Sequence, residues 1–237
     1  MDSLVNSPFI IPFIISMFLA INMGGSGTGP AFSVAFGANV LKKNSVPALF
    51  GLMVFLGAII AGKATSATMG KELVNPELMN YAQVSIILFA VSISLLVANL
   101  FGIPQSTSQS TVLAVIAPGI YFHELNTRKV FLEVIPTWFI LPIIAFILSL
   151  LIGKYIYTPL RRRGYTISSR INDHYMLRGA IIFASLYVAF SIGANNVANA
   201  SGPLTSMTMN ELGLGNQGGR LLTLIMIMST MIVAPSF

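Results

Sequence analysis

Apolar residues run along this chain in long blocks, covering approximately residues 8–22, 46–61, 81–103, 130–157, 179–192 and 221–235. Several reach roughly 18–28 residues with almost no charge, enough for a helix to cross a hydrocarbon core of about 30 Å. The pattern predicts an all-α polytopic membrane protein. Two stretches interrupt it: Met23-Gly24-Gly25-Ser26-Gly27-Thr28-Gly29-Pro30 and Gly193-Ala194-Asn195-Asn196-Val197-Ala198-Asn199. Glycine, serine and asparagine there predict broken helices, which survive at membrane depth only where protein or a wet cavity surrounds them. A matched pair of interrupted apolar segments points to a transporter's binding site. A third stretch, Pro104-Gln105-Ser106-Thr107-Ser108-Gln109-Ser110-Thr111, is rich in hydroxyls and precedes the apolar residues 112–121. It fits a re-entrant hairpin or a crossing whose helix starts late.

The two interruptions share a plan more than an identity. With Gly24 placed over Gly193, Ser26 falls over Asn195, Gly27 over Asn196 and Pro30 over Asn199. The first unit is entered from a tail carrying only Asp2, and the second from an arginine-rich connection. Cytoplasmic loops concentrate Lys and Arg, so the two entrances are expected on opposite sides of the membrane. Similar units entered from opposite faces form an inverted repeat with a shared site near the midplane. The expected organisation is a first transmembrane repeat over 1–157, a basic cytoplasmic loop over 158–174, and a second repeat over 175–237. That second repeat stops before any counterpart of the Pro104–Thr111 run, which predicts a truncated unit.

Composition agrees with the membrane reading. Of 237 residues, 55% are hydrophobic and only 8% charged, against about 25% charged in soluble domains. A net charge of +6 would suggest nucleic acid in a soluble protein, but here Lys154, Arg161, Arg162, Arg163, Arg170 and Arg178 flank one connection. Membrane topology explains them, so no nucleic-acid partner is expected. The absence of cysteine excludes disulfides and thiolate metal sites.

No catalytic constellation appears. His123 and His174 share no metal-ligand spacing, no acidic pair is placed for acid–base work, and no cofactor or resident metal is implied. Glu133 begins an apolar block and either acts within the membrane or reaches its interface. Gly25 and Gly29 make a G-x-x-x-G spacing that serves close helix packing equally well. Asn195, Asn196 and Asn199 would each be costly in hydrocarbon without partners. Ser106 can cap a helix after Pro104, and a capped helix N-terminus is itself an anion site. Hydroxyls, amides and backbone N–H groups with no Lys or Arg suit a small oxyanion, though a cation or water path would use similar groups.

Gly193-Ala194-Asn195-Asn196-Val197-Ala198-Asn199-Ala200 resembles the G-A-N-D-V-A-N-A signature of the inorganic phosphate transporter family. Pro104-Gln105-Ser106-Thr107-Ser108-Gln109 is similar to that family's P-x-S-T-T-H motif. The resemblance implies a secondary transporter with inverted repeats, importing phosphate with sodium or protons. It implies an anion site at Asn195, Asn199, Ser106, Thr107 and Ser108, with Ser26 at the matching place in the first repeat. Thr28 and Asn196, inside the same polar clusters, complete the candidate substrate-binding set. Where the family carries aspartates linked to the coupling cation, this chain has Asn196 and Gly27, and Gln109 replaces the motif histidine. Protons are therefore expected as the coupling ion in preference to sodium. Sulfate has no proton for a carboxylate to accept, so losing both aspartates favours sulfate over phosphate. The pattern resembles the family's sulfate-permease branch.

The expectation is thus a multi-pass cell-membrane importer of sulfate or phosphate, embedded in the bilayer, working by proton symport and alternating access. Glu133 and Glu211 are candidate proton carriers, and a homodimer is compatible with this plan. The alternatives are a sodium-coupled phosphate permease, an anion channel, or a non-transporting truncated remnant. An enzyme is disfavoured for want of an acid–base pair.

Overall fold

Uncharged blocks rich in Leu, Ile, Val, Ala and Phe have no water to satisfy their backbone in lipid, so they close their hydrogen bonds within helices. The computed structural model describes residues 8–162 and 175–211. Its principal helices are α1 (Ile10–Gly37), α2 (Val46–Ala67), α3 (Tyr81–Leu100), α4 (Thr107–Tyr121), α5 (Ile135–Ile152), α6 (Thr158–Arg162) and α7 (Tyr175–Glu211). π-helical turns extend α2 over Thr68–Glu72 and flank α5 over Lys129–Val134 and Gly153–Tyr157. Among the described residues, five helical stretches are long and apolar enough to cross a membrane: Ile10–Gly37, Lys43–Glu72, Tyr81–Leu100, Lys129–Tyr157 and Tyr175–Glu211. The protein is therefore an all-α, multi-pass membrane protein. The apolar block at 221–235 and most of the basic loop lie outside the described residues.

Helix ends sort onto two faces. On one, Arg178 at the start of α7 donates to the Val40 carbonyl at 3.5 Å, beside the short link from α1 to α2. On the other, Asn210 near the end of α7 donates to the Pro76 carbonyl. There the end of α2 meets the end of α4: Asn75 N–H donates to Glu124 O at 3.1 Å, and Asn126 N–H to Leu73 O at 2.9 Å. α1 and α7 accordingly run antiparallel, while α2 runs beside α7 in the same direction.

α3 and α4 form a hairpin with both feet on the Asn75 face. Its tip, residues 101–106, stops well short of the opposite face. Asn99 donates to the Asn22 carbonyl at 3.1 Å, and α1 continues from Asn22 to Gly37, about 22 Å further. Of the two readings of the Pro104–Thr111 run, the re-entrant hairpin is the one observed.

The expected helix breaks at Met23–Pro30 and Gly193–Asn199 are not observed. Both stretches lie inside continuous α1 and α7. Ser26 and Thr28 donate their hydroxyls back to the Met23 and Gly24 carbonyls at 3.1 and 2.9 Å, so their polarity is satisfied without unwinding. Gly27 and Gly193 serve packing instead, whereas Gly25 and Gly29 face open space. A Cβ on Gly193 would collide with the Val54 carbonyl, and one on Gly57 with the Phe190 carbonyl. Further along the same seam, a Cβ on Gly70 would meet the Gly202 carbonyl at 2.6 Å. α2 and α7 therefore touch backbone to backbone, the close approach that small residues permit between membrane helices.

Two apolar clusters hold the helices. One gathers Leu19 and Met23 of α1, Leu88 and Val91 of α3, Val112 of α4, and Leu204 and Met207 of α7. The other gathers Phe32, Phe50, Val54, Ala189 and Val197. Every residue of α7 from Val197 to Thr208 is buried, so this stretch of the helix is enclosed on all sides. No residue of α5 is buried, and its apolar side chains point outward as a lipid-facing helix requires.

Gly193→Ala and Gly57→Ala are expected to lower stability by about 1–3 kcal/mol, because the seam has no room for a methyl. A Cβ on Gly25 would meet nothing within 4 Å, so Gly25→Ala should be neutral or stabilising by up to about 1 kcal/mol. Thermal unfolding in detergent checks all three, and a large loss from Gly25→Ala would contradict an intact α1.

Candidate functional site

Pro104 and the extended backbone of Ser106 stop the chain from continuing α3 and start a new helix inside the membrane. The Ser106 hydroxyl accepts the Gln109 N–H at 3.3 Å, capping α4. A helix start leaves its first N–H groups without helical partners, here those of Thr107 and Ser108. These groups and the helix dipole make the hairpin tip electropositive without a charged side chain.

Amides on α7 meet this tip. Asn199 Nδ2 donates to Ser108 Oγ at 3.2 Å, and Ser108 Oγ donates to Asn195 Oδ1 at 3.3 Å. Asn195 is exposed, whereas Asn199 is fully buried. One helical turn separates the two asparagines, so both lie on the α7 face that receives α4. Asn199 Oδ1 is buried and takes no hydrogen bond among the described residues. The Asn199 main-chain carbonyl also lacks its usual donor, because Pro203, four residues on, has no N–H. Pro30 does the same to the Ser26 carbonyl in α1.

The candidate residues are thus partly assembled. Ser108, Asn195 and Asn199 come together around the start of α4, with Ser106 as its cap and buried Thr107 in its first turn. Asn196 lies half-buried on the same turn of α7. Ser26 and Thr28 are bonded within α1 and make no side-chain hydrogen bond to this group.

Gln105, Ser94 and Asn99, to which the sequence assigned no role, hold the tip in place. Gln105 Nε2 donates to Ser94 Oγ and Ser110 Oγ, both at 2.7 Å, joining the last turns of α3 to the first turn of α4. Asn99 ties the end of α3 to α1. An amide beside a proline at the end of an apolar block was the available signal.

The acidic candidates sit elsewhere. Lys129 bridges Glu72 at 3.0 Å and Glu133 at 2.6 Å on the Asn75 face. Glu133 therefore reaches the interface as half of an ion pair. Glu211 ends α7, exposed. An open cleft of about 320 Å³ on the same face is lined by Lys71, Glu72, Asn75, His123, Glu124 and Asn126, consistent with solvated loop residues.

A helical multi-pass membrane protein with a capped, re-entrant hairpin meeting asparagines midway along a central helix has the architecture of a transporter. Residues 23–234 match the model of the phosphate transporter family, and the chain belongs to that family, one of transporters and not of enzymes. It is 32% identical over 208 residues to the sulfate permease CysP of Bacillus subtilis (strain 168), covering 87% of this chain and 57% of that protein. It is 28% identical over 154 residues to the putative phosphate permease TK2061 of Thermococcus kodakarensis, covering 61% of this chain and 37% of that one. Among solved structures, a sodium-dependent phosphate transporter matches 95% of this chain and 76% of its own, with TM-score 0.68 and 20% identity. The chain spans little more than half the length of the first of these permeases and less of the second.

Gln105→Leu removes both 2.7 Å bonds at the tip and should cost about 1–2 kcal/mol. Hydrogen exchange is expected to quicken in residues 101–110 and to stay unchanged in α2.

Proposed function

We propose that this chain forms part of a secondary transporter that imports sulfate, with phosphate as the second substrate candidate. The observation that carries the reading is the convergence of Ser108, Asn195 and Asn199 on the N-terminus of a half-length helix. These are neutral donors backed by a helix dipole, the arrangement that holds small oxyanions. The sulfate preference rests on Asn196 and Gly27 at the positions where the resemblance places aspartates. The 32% identity to a sulfate permease also supports it. Phosphate remains the alternative because other relatives are described as putative phosphate permeases.

A dianion entering a negative cytoplasm moves against the potential, at about 4.6 kcal/mol per 100 mV for two charges. Import therefore needs coupling, and protons are the proposed driver, since the sites linked to a metal cation have lost their carboxylates. Alternating access would turn α1 and α7, antiparallel members of an inverted repeat, about an anion held at the hairpin tip. The excess of arginine in the basic connection after α6 supports a cytoplasmic position for it.

Reconstituted protein should take up radiolabelled sulfate faster under an inward proton gradient and show no dependence on sodium. Asn199→Ala should cut that uptake about tenfold or more, since it removes a buried donor to Ser108. Uptake indifferent to the proton gradient and to Asn199→Ala would count against the reading.

A further inference from the structure

Three side chains at the hairpin tip form a directed chain of hydrogen bonds, and its direction decides what the site shows a ligand. Ser108 has one hydroxyl proton. It receives an N–H from Asn199 at 3.2 Å and passes its own proton to Asn195 Oδ1 at 3.3 Å. With its oxygen engaged, exposed Asn195 turns its Nδ2 group, two N–H donors, away from Ser108. The nearby N–H groups of Thr107 and Ser108 are donors as well.

The reverse direction can also be drawn. Ser108 would donate to Asn199, Asn195 would donate to Ser108, and Asn195 would present its oxygen. Burial opposes this. In the observed direction the fully buried Asn199 leaves its carbonyl oxygen and one N–H without a partner among the described residues. Reversed, it would strand both N–H donors of that amide where no described residue offers a partner. Orphaned buried donors are rarer and costlier than an under-satisfied carbonyl. Asn199, which is buried, thus acts through Ser108 on Asn195, which is not.

We infer that Asn199 is a positioning residue for anion selectivity: through Ser108 it holds Asn195 as a donor, so the site prefers an oxyanion without a proton to one that carries a proton. Sulfate near neutral pH has only acceptor oxygens. Phosphate keeps at least one O–H, which needs an acceptor or goes unpaired when desolvated. This rests on the proposed anion site at the start of α4, and it attributes the preference to amide orientation, beyond the mere absence of carboxylates.

Asn199→Asp tests the direction, because a carboxylate can only accept from Ser108. The relay then reverses, Asn195 donates to Ser108, and its oxygen faces the ligand. Asn195→Asp places an acceptor there directly, at an exposed position where folding is undisturbed. Ser108→Ala cuts the link, whereas Ser108→Thr keeps the hydroxyl. The measurement is the ratio of initial sulfate to phosphate uptake in proteoliposomes at pH 7, with each anion competing against the other. The ratio is independent of how much protein is active. It should fall about tenfold in Asn199→Asp and Asn195→Asp, the worth of one hydrogen bond to a charged group. It should fall less in Ser108→Ala and keep the wild-type value in Ser108→Thr. Wild-type protein that carries both anions with a ratio unmoved by Asn195→Asp and Ser108→Ala overturns the relay alone. Wild-type protein that carries neither anion overturns the function and the relay together.

Discussion

Hydrocarbon leaves a helix that starts inside the membrane with N–H groups it cannot pair, and the rest of this structure is arranged around that constraint. α4 begins near mid-depth because Pro104 and capping Ser106 stop the chain from continuing α3. Its first turn is then tolerated only next to protein that can answer it. Ser106 answers the Gln109 N–H, Asn195 and Asn199 of α7 meet the turn at the Ser108 hydroxyl, Gln105 closes the tip from within, and Asn99 fastens it to α1. Polar groups that would be costly singly become tolerable as a connected set.

Holding asparagines at that depth requires a rigid α7. Backbone contact between α2 and α7, at Gly57 against Phe190 and Gly193 against Val54, supplies it. Such proximity maximises dispersion contacts, the chief attraction left between helices once lipid tails match apolar side chains. The apolar clusters on either side of the asparagines fix the rotation of α7 about its axis. That rotation sets which amide faces α4 and which is buried, so packing decides the polarity of the hydrogen-bond relay.

The prolines contribute in a less visible way. Pro203 and Pro30 sit four residues after Asn199 and Ser26, and each leaves a main-chain carbonyl without its helical donor. Neither breaks its helix: Pro203 is buried among its neighbours, and Pro30 lies on an exposed side of a helix that stays continuous through it. The unpaired Asn199 oxygens thus stand on the helix that meets the start of α4, a polarity that the long apolar blocks elsewhere lack.

The order of residues alone was enough to specify the membrane class and the helical blocks, because an uncharged run of 20 or more residues has few stable alternatives in lipid. It also located Ser106 as a cap and the Asn195–Asn199 cluster as costly polarity, both local matters of hydrogen-bond supply. It misjudged Gly24–Gly29 and Gly193 as breaks, since a glycine's sequence neighbours do not reveal whether it frees the backbone or admits another helix. Packing in three dimensions resolved that, by setting Val54 against the vacant Cβ position of Gly193 and Phe50 against that of Gly27, while Gly25 and Gly29 face open space in an unbroken helix. It alone joined Ser108 to residues nearly 90 positions away on α7. It also left Ser26 and Thr28 bonded inside α1, because a partner across space depends on helix rotation and depth, which no run of residues encodes locally.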